Sequence, residues 1–429
     1  MFDANPPDKE ISTQGYDWVT IGMYLFFVAF GFSCIYAADY KPEHASLFDW
    51  KTNHGKQLIF IGISVVLGFI ILLSEYEIYP TFAWLIYGFI MFLMLSVIFV
   101  GSEVKGAKSW FGIGGFGFQP SEFGKFAVSL ALARYLSGYD IKFKNPKTQL
   151  YCAGIIALPM LITLLQNDTG SALVYGSFIL VLYREGLPGY LLAMALVMVV
   201  FAVLSLLVKP IKLCVILVTI SLAIVYFFRR QSSFIYLTLI TVAISCILVF
   251  SVNFVFNKVL QPHQRDRINV LLNRDVDLKS VGYNVHQSKI TIGSGGLLGK
   301  GYLEGTQTKG DFVPEQTTDF IFCTVGEEWG FAGTSLLVIS FVYFLWRLVM
   351  IAERQRNKFN RVYAYSVASI LFFHFLINIG MTIGLMPVIG IPLPFFSYGG
   401  SSLLGFTILL FILLKLDSNR VNELQSVFD

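Results

Sequence analysis

The sequence predicts an all-α polytopic membrane protein, a helix bundle of about twelve transmembrane helices with one long extracytoplasmic loop. Three observations carry that expectation. Of 429 residues, 55% are hydrophobic and only 14% are charged, against ~25% charged in a soluble domain. The apolar residues fall in runs close to the ~20 residues that a helix needs to cross the hydrocarbon core. The polar stretches between those runs are too small to fold alone, so residues 1–429 read as a single membrane domain.

Taken in order, the spans are expected at 17–38, 57–75, 79–100, 119–137, 149–166, 169–184, 187–208, 211–228, 234–256, 322–346, 362–384 and 400–416. The fourth is the least apolar and the sixth is short, so both are expected to pack inside protein rather than face lipid all round. The N-terminal stretch MFDANPPDKEISTQGYDW lacks the basic-then-apolar pattern of a cleaved leader, so the first span is expected to be its own membrane signal. The Lys/Arg bias of short loops sets direction. A cytoplasmic N-terminus puts Arg134, Lys142, Lys144, Lys147, Arg184, Arg229, Arg230, Arg347, Arg354, Arg356, Lys358, Arg361, Lys415 and Arg420 inside. Both termini are then cytoplasmic, and 101–118, 257–321 and 385–399 lie outside.

Several function classes drop out. The net charge of +4 is spread between apolar runs without a basic face, which argues against a nucleic-acid partner. The five cysteines form no CxxC pair and the five histidines no HxxH or HExxH, which argues against disulfide frameworks and zinc or histidine metal sites. The run GSGGLLGKG, residues 293–301, fails the phosphate-loop spacing at both ends. Ser397, Ser401 and Ser402 do not fit G-x-S-x-G.

Charges within spans are costly and invite a functional reading. Glu122 and Lys125, three residues apart on one helix face, suit a structural ion pair and a substrate contact equally well. Asp168 reads first as a helix cap, and Glu327 and Glu328 as carboxylates matched to the dipole of the tenth span. His374 reads as a packing or hydrogen-bonding residue in an apolar helix. Pro387, Pro392 and Pro394 forbid a regular helix before the last span, which predicts a polar cavity near the outer leaflet. The polar loop LLNRDVDLKSVGYN carries two aspartates, Asp275 and Asp277, that local chemistry does not distinguish.

Six segments, KGAKSW, QPSEFGKFA, NDTGSALV, VGYNVHQSKITIGSGGLLGKG, FVPEQTTDFIFCTVGEEWGF and PLPFFSYGGSS, together resemble the SEDS family of peptidoglycan glycosyltransferases. GSGGLLGKGYLEGTQ followed by FVPE is closer to the rod-shape branch, RodA, than to the division branch, FtsW. The resemblance implies polymerisation of lipid II, an undecaprenyl-pyrophosphate-linked disaccharide-pentapeptide, at the outer face of a bacterial cytoplasmic membrane during cell elongation. It also implies a class B penicillin-binding protein as partner, alongside other elongation-complex membrane proteins. The family's catalytic aspartate precedes the motif tyrosine by six residues, which selects Asp277 before Tyr283 and leaves Asp275 a neighbour. Glu122, Lys125 and Asp168 match the family's polar cavity, and Lys105, Tyr283, Gln287, Ser288, Gly295, Gly296, Glu315, Asp319, Glu327, Ser397, Gly399 and Gly400 occupy its other motif positions.

The chain departs from the family at three places. Leu278 and Ser280 stand where D-P-x-G-x-G-Y has its proline and first glycine, Ser109 replaces the arginine of KGAxRW, and QNDTGS replaces QPDLGT. Ten spans are usual in the family, so a surplus pair is expected within 187–256. For the chemistry, Asp277 is expected to act as general base on the attacking sugar hydroxyl. Lys105, Lys125, Arg265, Arg267 or a divalent cation (Mg or Mn) would offset the charge of the departing pyrophosphate. A lipid II flippase and a non-catalytic scaffold for the penicillin-binding protein are the competing readings. The outer clustering of polar motifs favours catalysis over alternating access.

Overall fold

The computed structural model describes residues 15–40, 46, 48–104, 106–113, 116–208, 210–227, 232–260, 262–272 and 281–425. Asp275, Asp277 and Lys105 lie outside the described residues. The order is α1 (Trp18–Asp39), α2 (Asn53–Leu73), α3 (Ile78–Val100), β1 (Ser102–Val104), β2 (Ala107–Ile113), β3 (Phe116–Phe118), α4 (Pro120–Leu136), α5 (Pro146–Leu165), α6 (Thr169–Val174) and α7 (Phe178–Arg184). Then come α8 (Gly189–Leu207), α9 (Pro210–Phe227), α10 (Ser232–Phe254), α11 (Pro262–Leu271), α12 (Val281–Ser294), α13 (Thr306–Lys309), α14 (Ile321–Glu353), α15 (Lys358–Thr382) and α16 (Gly400–Gln425).

Helix starts are written locally. Pro120 and Pro146 open α4 and α5, where a missing N–H costs nothing. The side chains of Asp17, Thr52, Asp168 and Asn357 accept from the first turns of α1, α2, α6 and α15. Each expected span falls on a helix, or, for 169–184, on α6 and α7 joined by a 3-10 turn at Tyr175–Ser177. By length and apolarity nine helices among the described residues qualify to cross a membrane: α1, α2, α3, α5, α8, α10, α14, α15 and α16. The expected number of twelve therefore exceeds what these two criteria support; α9 is apolar over a shorter stretch, 210–223.

Helix α4 is the axis of the bundle. Nearly every residue from Pro120 to Leu136 is buried, against α3, α5, α15 and α16. Its low apolarity is thus tolerated because protein surrounds it. An aromatic cluster locks α1 to α14 and α16, with Phe27 stacked on Phe341 at 4.1 Å and Tyr24 edge-on to Phe411 at 5.1 Å. Lipid is as apolar as these rings, so close packing rather than water exclusion holds them together. Helices α8, α9 and α10 pack chiefly on one another. Only 6% of the most apolar stretch of α8 and 11% of that of α10 are buried, which leaves both to face lipid.

Residues 101–118, expected only to lie outside, carry structure of their own: β1, β2 and β3 form an antiparallel meander, with Ser102 opposite Trp110 and Gly112 opposite Gly117. It is anchored where the Lys108 N–H donates to the Gln166 carbonyl at 3.0 Å. The long segment 257–321 contains three helices, α11, α12 and α13. Helix α14 continues to Glu353 and is broken internally at Gly330 (φ 62°, ψ −159°).

Candidate active site

Two polar clusters lie at the end of the bundle where α4, α6, α14 and α16 begin and α15 finishes. The first is built on α4. Lys125 Nζ donates to Glu122 Oε2 at 2.8 Å, to His374 Nε2 at 3.0 Å, and sits 4.8 Å from the centre of the Phe406 ring. His374 Nδ1 lies 3.2 Å from the Pro392 carbonyl, which can only accept. The proton is therefore assigned to Nδ1, leaving Nε2 as the acceptor for the ammonium. All three side chains are buried, so the ammonium is neutralised by geometry rather than by water.

Asp168 is joined to the same end of α4. Its Oδ1 accepts from Ser171 N–H at 3.0 Å and its Oδ2 from Gln119 Nε2 at 2.9 Å. The capping reading holds, and a second contact is added. Gln119 N–H in turn donates to Ser401 Oγ at 3.1 Å, at the start of α16. The proline-rich segment before α16 is pinned by side chains: Asn378 Nδ2 donates to the carbonyls of Ile391 at 2.8 Å and Asp319 at 3.0 Å. Ser397 Oγ accepts from Leu393 N–H at 2.9 Å, and Gln57 Oε1 accepts from Gly399 N–H at 3.2 Å. Gly400 sits against Phe60, where a Cβ would lie 2.3 Å from the ring.

The second cluster explains the glycine run. The break at Gly330 frees two carbonyls and two N–H groups of α14. Lys300 and Gly301 N–H donate to the Glu327 and Glu328 carbonyls at 2.9 and 3.1 Å, while Phe331 and Ala332 N–H donate to Gly296 and Leu297 at 2.9 and 3.0 Å. Backbone must approach backbone for this. A Cβ at Gly295 would lie 2.0 Å from the Gly326 carbonyl, and one at Gly299 would lie 2.1 Å from that of Glu328. The glycines thus serve close contact with α14.

Glu327 needs a fuller account than dipole matching. Its carboxylate accepts from Lys300 Nζ at 2.6 Å, Thr308 Oγ1 at 2.7 Å, Thr308 N–H at 2.8 Å and Gln307 N–H at 2.9 Å. It is the fully buried hub that holds 300–308 onto α14. Glu328 accepts from Leu303 N–H at 3.1 Å. Lys300 and Thr308 are site residues that sequence reasoning missed; only their pairing in space reveals them.

Of the remaining expected residues, Ser288 Oγ donates to the Thr382 carbonyl at 2.9 Å and ties α12 to the end of α15. Tyr283 and Gln287 are half-buried on α12. Arg265 Nε is taken up by the Leu260 carbonyl at 3.0 Å. Glu315 is exposed and accepts from Thr318 Oγ1 at 3.1 Å, in a local turn. Asp319 lies beside Gly390. Among the described residues no three His, Cys, Asp or Glu side chains gather to hold a metal ion.

Fold and site together define a polytopic helix-bundle protein with a buried ion network and a glycine-docked segment at one end. The chain belongs to the FtsW/RodA/SpoVE family of cell cycle proteins, whose pattern matches residues 17–212 and 189–422. It is 33% identical over 417 residues to the peptidoglycan glycosyltransferase RodA of Treponema pallidum (strain Nichols), covering 90% of this chain and 94% of that protein. To the peptidoglycan glycosyltransferase MrdB of Escherichia coli (strain K12) it is 34% identical over 329 residues, 76% of this chain and 75% of that one. A solved structure described as showing structural coordination of polymerization and crosslinking by a peptidoglycan synthase complex superposes with TM-score 0.69 at 26% identity, over 94% of this chain and 98% of the other.

Proposed function

We propose that this chain is a peptidoglycan glycosyltransferase that polymerises lipid II into glycan strands during cell elongation, with Asp277 as general base. One observation carries the reading: a family match from residue 17 to 422 whose relatives are named for that activity. The geometry supports it. Glu122, Lys125, Asp168, Ser401 and the 300–308 segment are drawn to one end of the bundle.

Asp277 would take the proton from the attacking sugar hydroxyl as the bond to the lipid pyrophosphate breaks. Direct displacement inverts the anomeric centre, so an α-linked donor yields a β-linked strand. Lys125 is committed to Glu122 and His374, so its role is to hold α4, α15 and the proline-rich segment in register. A bacterial cytoplasmic membrane with both termini inside is supported by Arg347, Arg354 and Arg361, which all lie at the opposite end of the bundle from the polar clusters. A class B penicillin-binding protein as partner is supported by the structural likeness to a peptidoglycan synthase complex. The family pattern matches in two pieces that overlap at 189–212, which supports an inserted helical pair within 187–256.

The test is purified chain with lipid II in detergent, where there is no second compartment. Glycan strands are expected; a flippase or a scaffold would make none.

A further inference from the structure

A small cavity of about 50 Å³ lies between α11, α12 and the chain that follows α15. Its walls include the apolar side chains of Val285, Met386 and Val388, yet two cations, Arg267 and Lys289, also line it. Arg267 Nε is buried and has no hydrogen-bond partner among the described residues. A desolvated guanidinium N–H is unfavourable unless an acceptor reaches it. The Lys289 ammonium rests over Gly384 (φ +76°), where a Cβ would lie 2.4 Å from Lys289 Cε and 2.8 Å from Nζ. The missing side chain at 384 is what admits it.

Three other cations near this end are already committed: Lys125 to Glu122, Lys300 to Glu327, and Arg265 Nε to the Leu260 carbonyl. Burial pulls the Arg267 guanidinium below its ordinary value while Asp319 and Asp168 act the other way. A guanidinium nonetheless keeps its charge at neutral pH. Two cations lining one pocket, one of them with a buried and unpaired N–H, make an oxyanion site. A water needs roughly 10–15 Å³ on the same scale, so the cavity suits one phosphoryl group and excludes a sugar.

We propose that Arg267 and Lys289 bind one phosphate of a pyrophosphate carried on a polyprenyl lipid. That the carrier is the departing group of lipid II rests on the glycosyltransferase reading; binding of the phosphate does not. Helices α11 and α12 flank in sequence the stretch that contains Asp277, and the two cations would offset the charge that the departing group gains.

The experiment is calorimetric titration of the full-length chain in detergent with a short-chain polyprenyl pyrophosphate and, separately, with inorganic pyrophosphate. Lys289 is exposed enough for its replacement to leave the fold intact, and Arg267→Gln serves as a second variant. Lys289→Gln is expected to weaken polyprenyl pyrophosphate binding at least tenfold, and Lys289→Arg to restore most of it. Gly384→Ala, which displaces the ammonium, should behave like Lys289→Gln. Asp277→Asn should lose polymerisation yet bind as the native chain does. Unchanged binding in Lys289→Gln and Arg267→Gln overturns the site. Lys289-dependent binding of inorganic pyrophosphate alone overturns the lipid carrier. Lys289-dependent binding without any polymerisation by the native chain overturns the glycosyltransferase reading and leaves the phosphate site standing.

Discussion

Lys125 and Glu122 form a buried pair whose members depend on each other. Removing one leaves the other charged and dry, whereas removing both does not. Lys125→Met is therefore expected to destabilise the purified protein by about 3–5 kcal/mol, and Glu122→Met with Lys125→Met by clearly less. Thermal unfolding of the two variants checks this; equal losses would mean that the pair is not coupled. Glu327 makes a different demand. Glu327→Gln keeps an acceptor oxygen but loses the charge opposite Lys300, so 300–308 should loosen from α14 by about 1–3 kcal/mol. Hydrogen exchange at Gln307 and Thr308 N–H reads that loss directly. The sequence suggested the Glu122–Lys125 pair because its spacing is helical. It did not suggest that His374 completes it from 249 residues away. Nor did it show that Glu327 meets Lys300 and Thr308, since those partnerships exist only after the glycine run has docked.

At the scale of elements, the break in α14 and the glycine segment are one device. Gly330 adopts a backbone conformation open almost only to glycine, and a Cβ there would lie 2.3 Å from Gly299 N. Gly330→Ala should therefore undock 295–308 and cost at least ~1–3 kcal/mol. Faster hydrogen exchange at Lys300, Gly301, Phe331 and Ala332 together is the expected signature, and exchange confined to residue 330 would contradict it. The apolar spans were legible because the need for ~20 apolar residues leaves little choice. The meander at 102–118 was not, since two of its strands are three residues long and show no usable alternation. The break at Gly330 was hidden by the apolar run around it. Between α8 and α10, Asn253 Nδ2 donates to the Ser205 carbonyl at 3.0 Å. Asn253→Leu should cost about 0.6–2 kcal/mol, the usual worth of one interhelical hydrogen bond in a bilayer, again read by unfolding.

Across the whole molecule, the two ends of the bundle differ in chemistry. At the end away from the site, Asp17 accepts from Arg347 Nε at 3.0 Å and from Arg354 Nη2 at 3.2 Å, and Arg354 also pairs with Asp417. The start of α1 and the ends of α14 and α16 are thereby stapled together. Burial alone would raise the Asp17 carboxyl, but hydrogen bonds from Arg347 and Thr20 outweigh it and hold the group below its ordinary value. A depressed carboxylate contributes stability above its unfolded pKa of ~3.9 and loses it as pH falls through the folded value. The unfolding midpoint should therefore drop more steeply between about pH 5 and pH 3 in the native protein than in Asp17→Asn. Parallel curves would contradict the staple.

Polymerisation of lipid II with Asp277 as base is tested by glycan-strand formation from lipid II in detergent, by the native chain and by Asp277→Asn, each checked for the same unfolding midpoint. The account predicts polymer from the native chain and a loss of at least about a hundredfold in the variant, the usual worth of a general base. An Asp277→Asn protein that folds and polymerises at the native rate would contradict it.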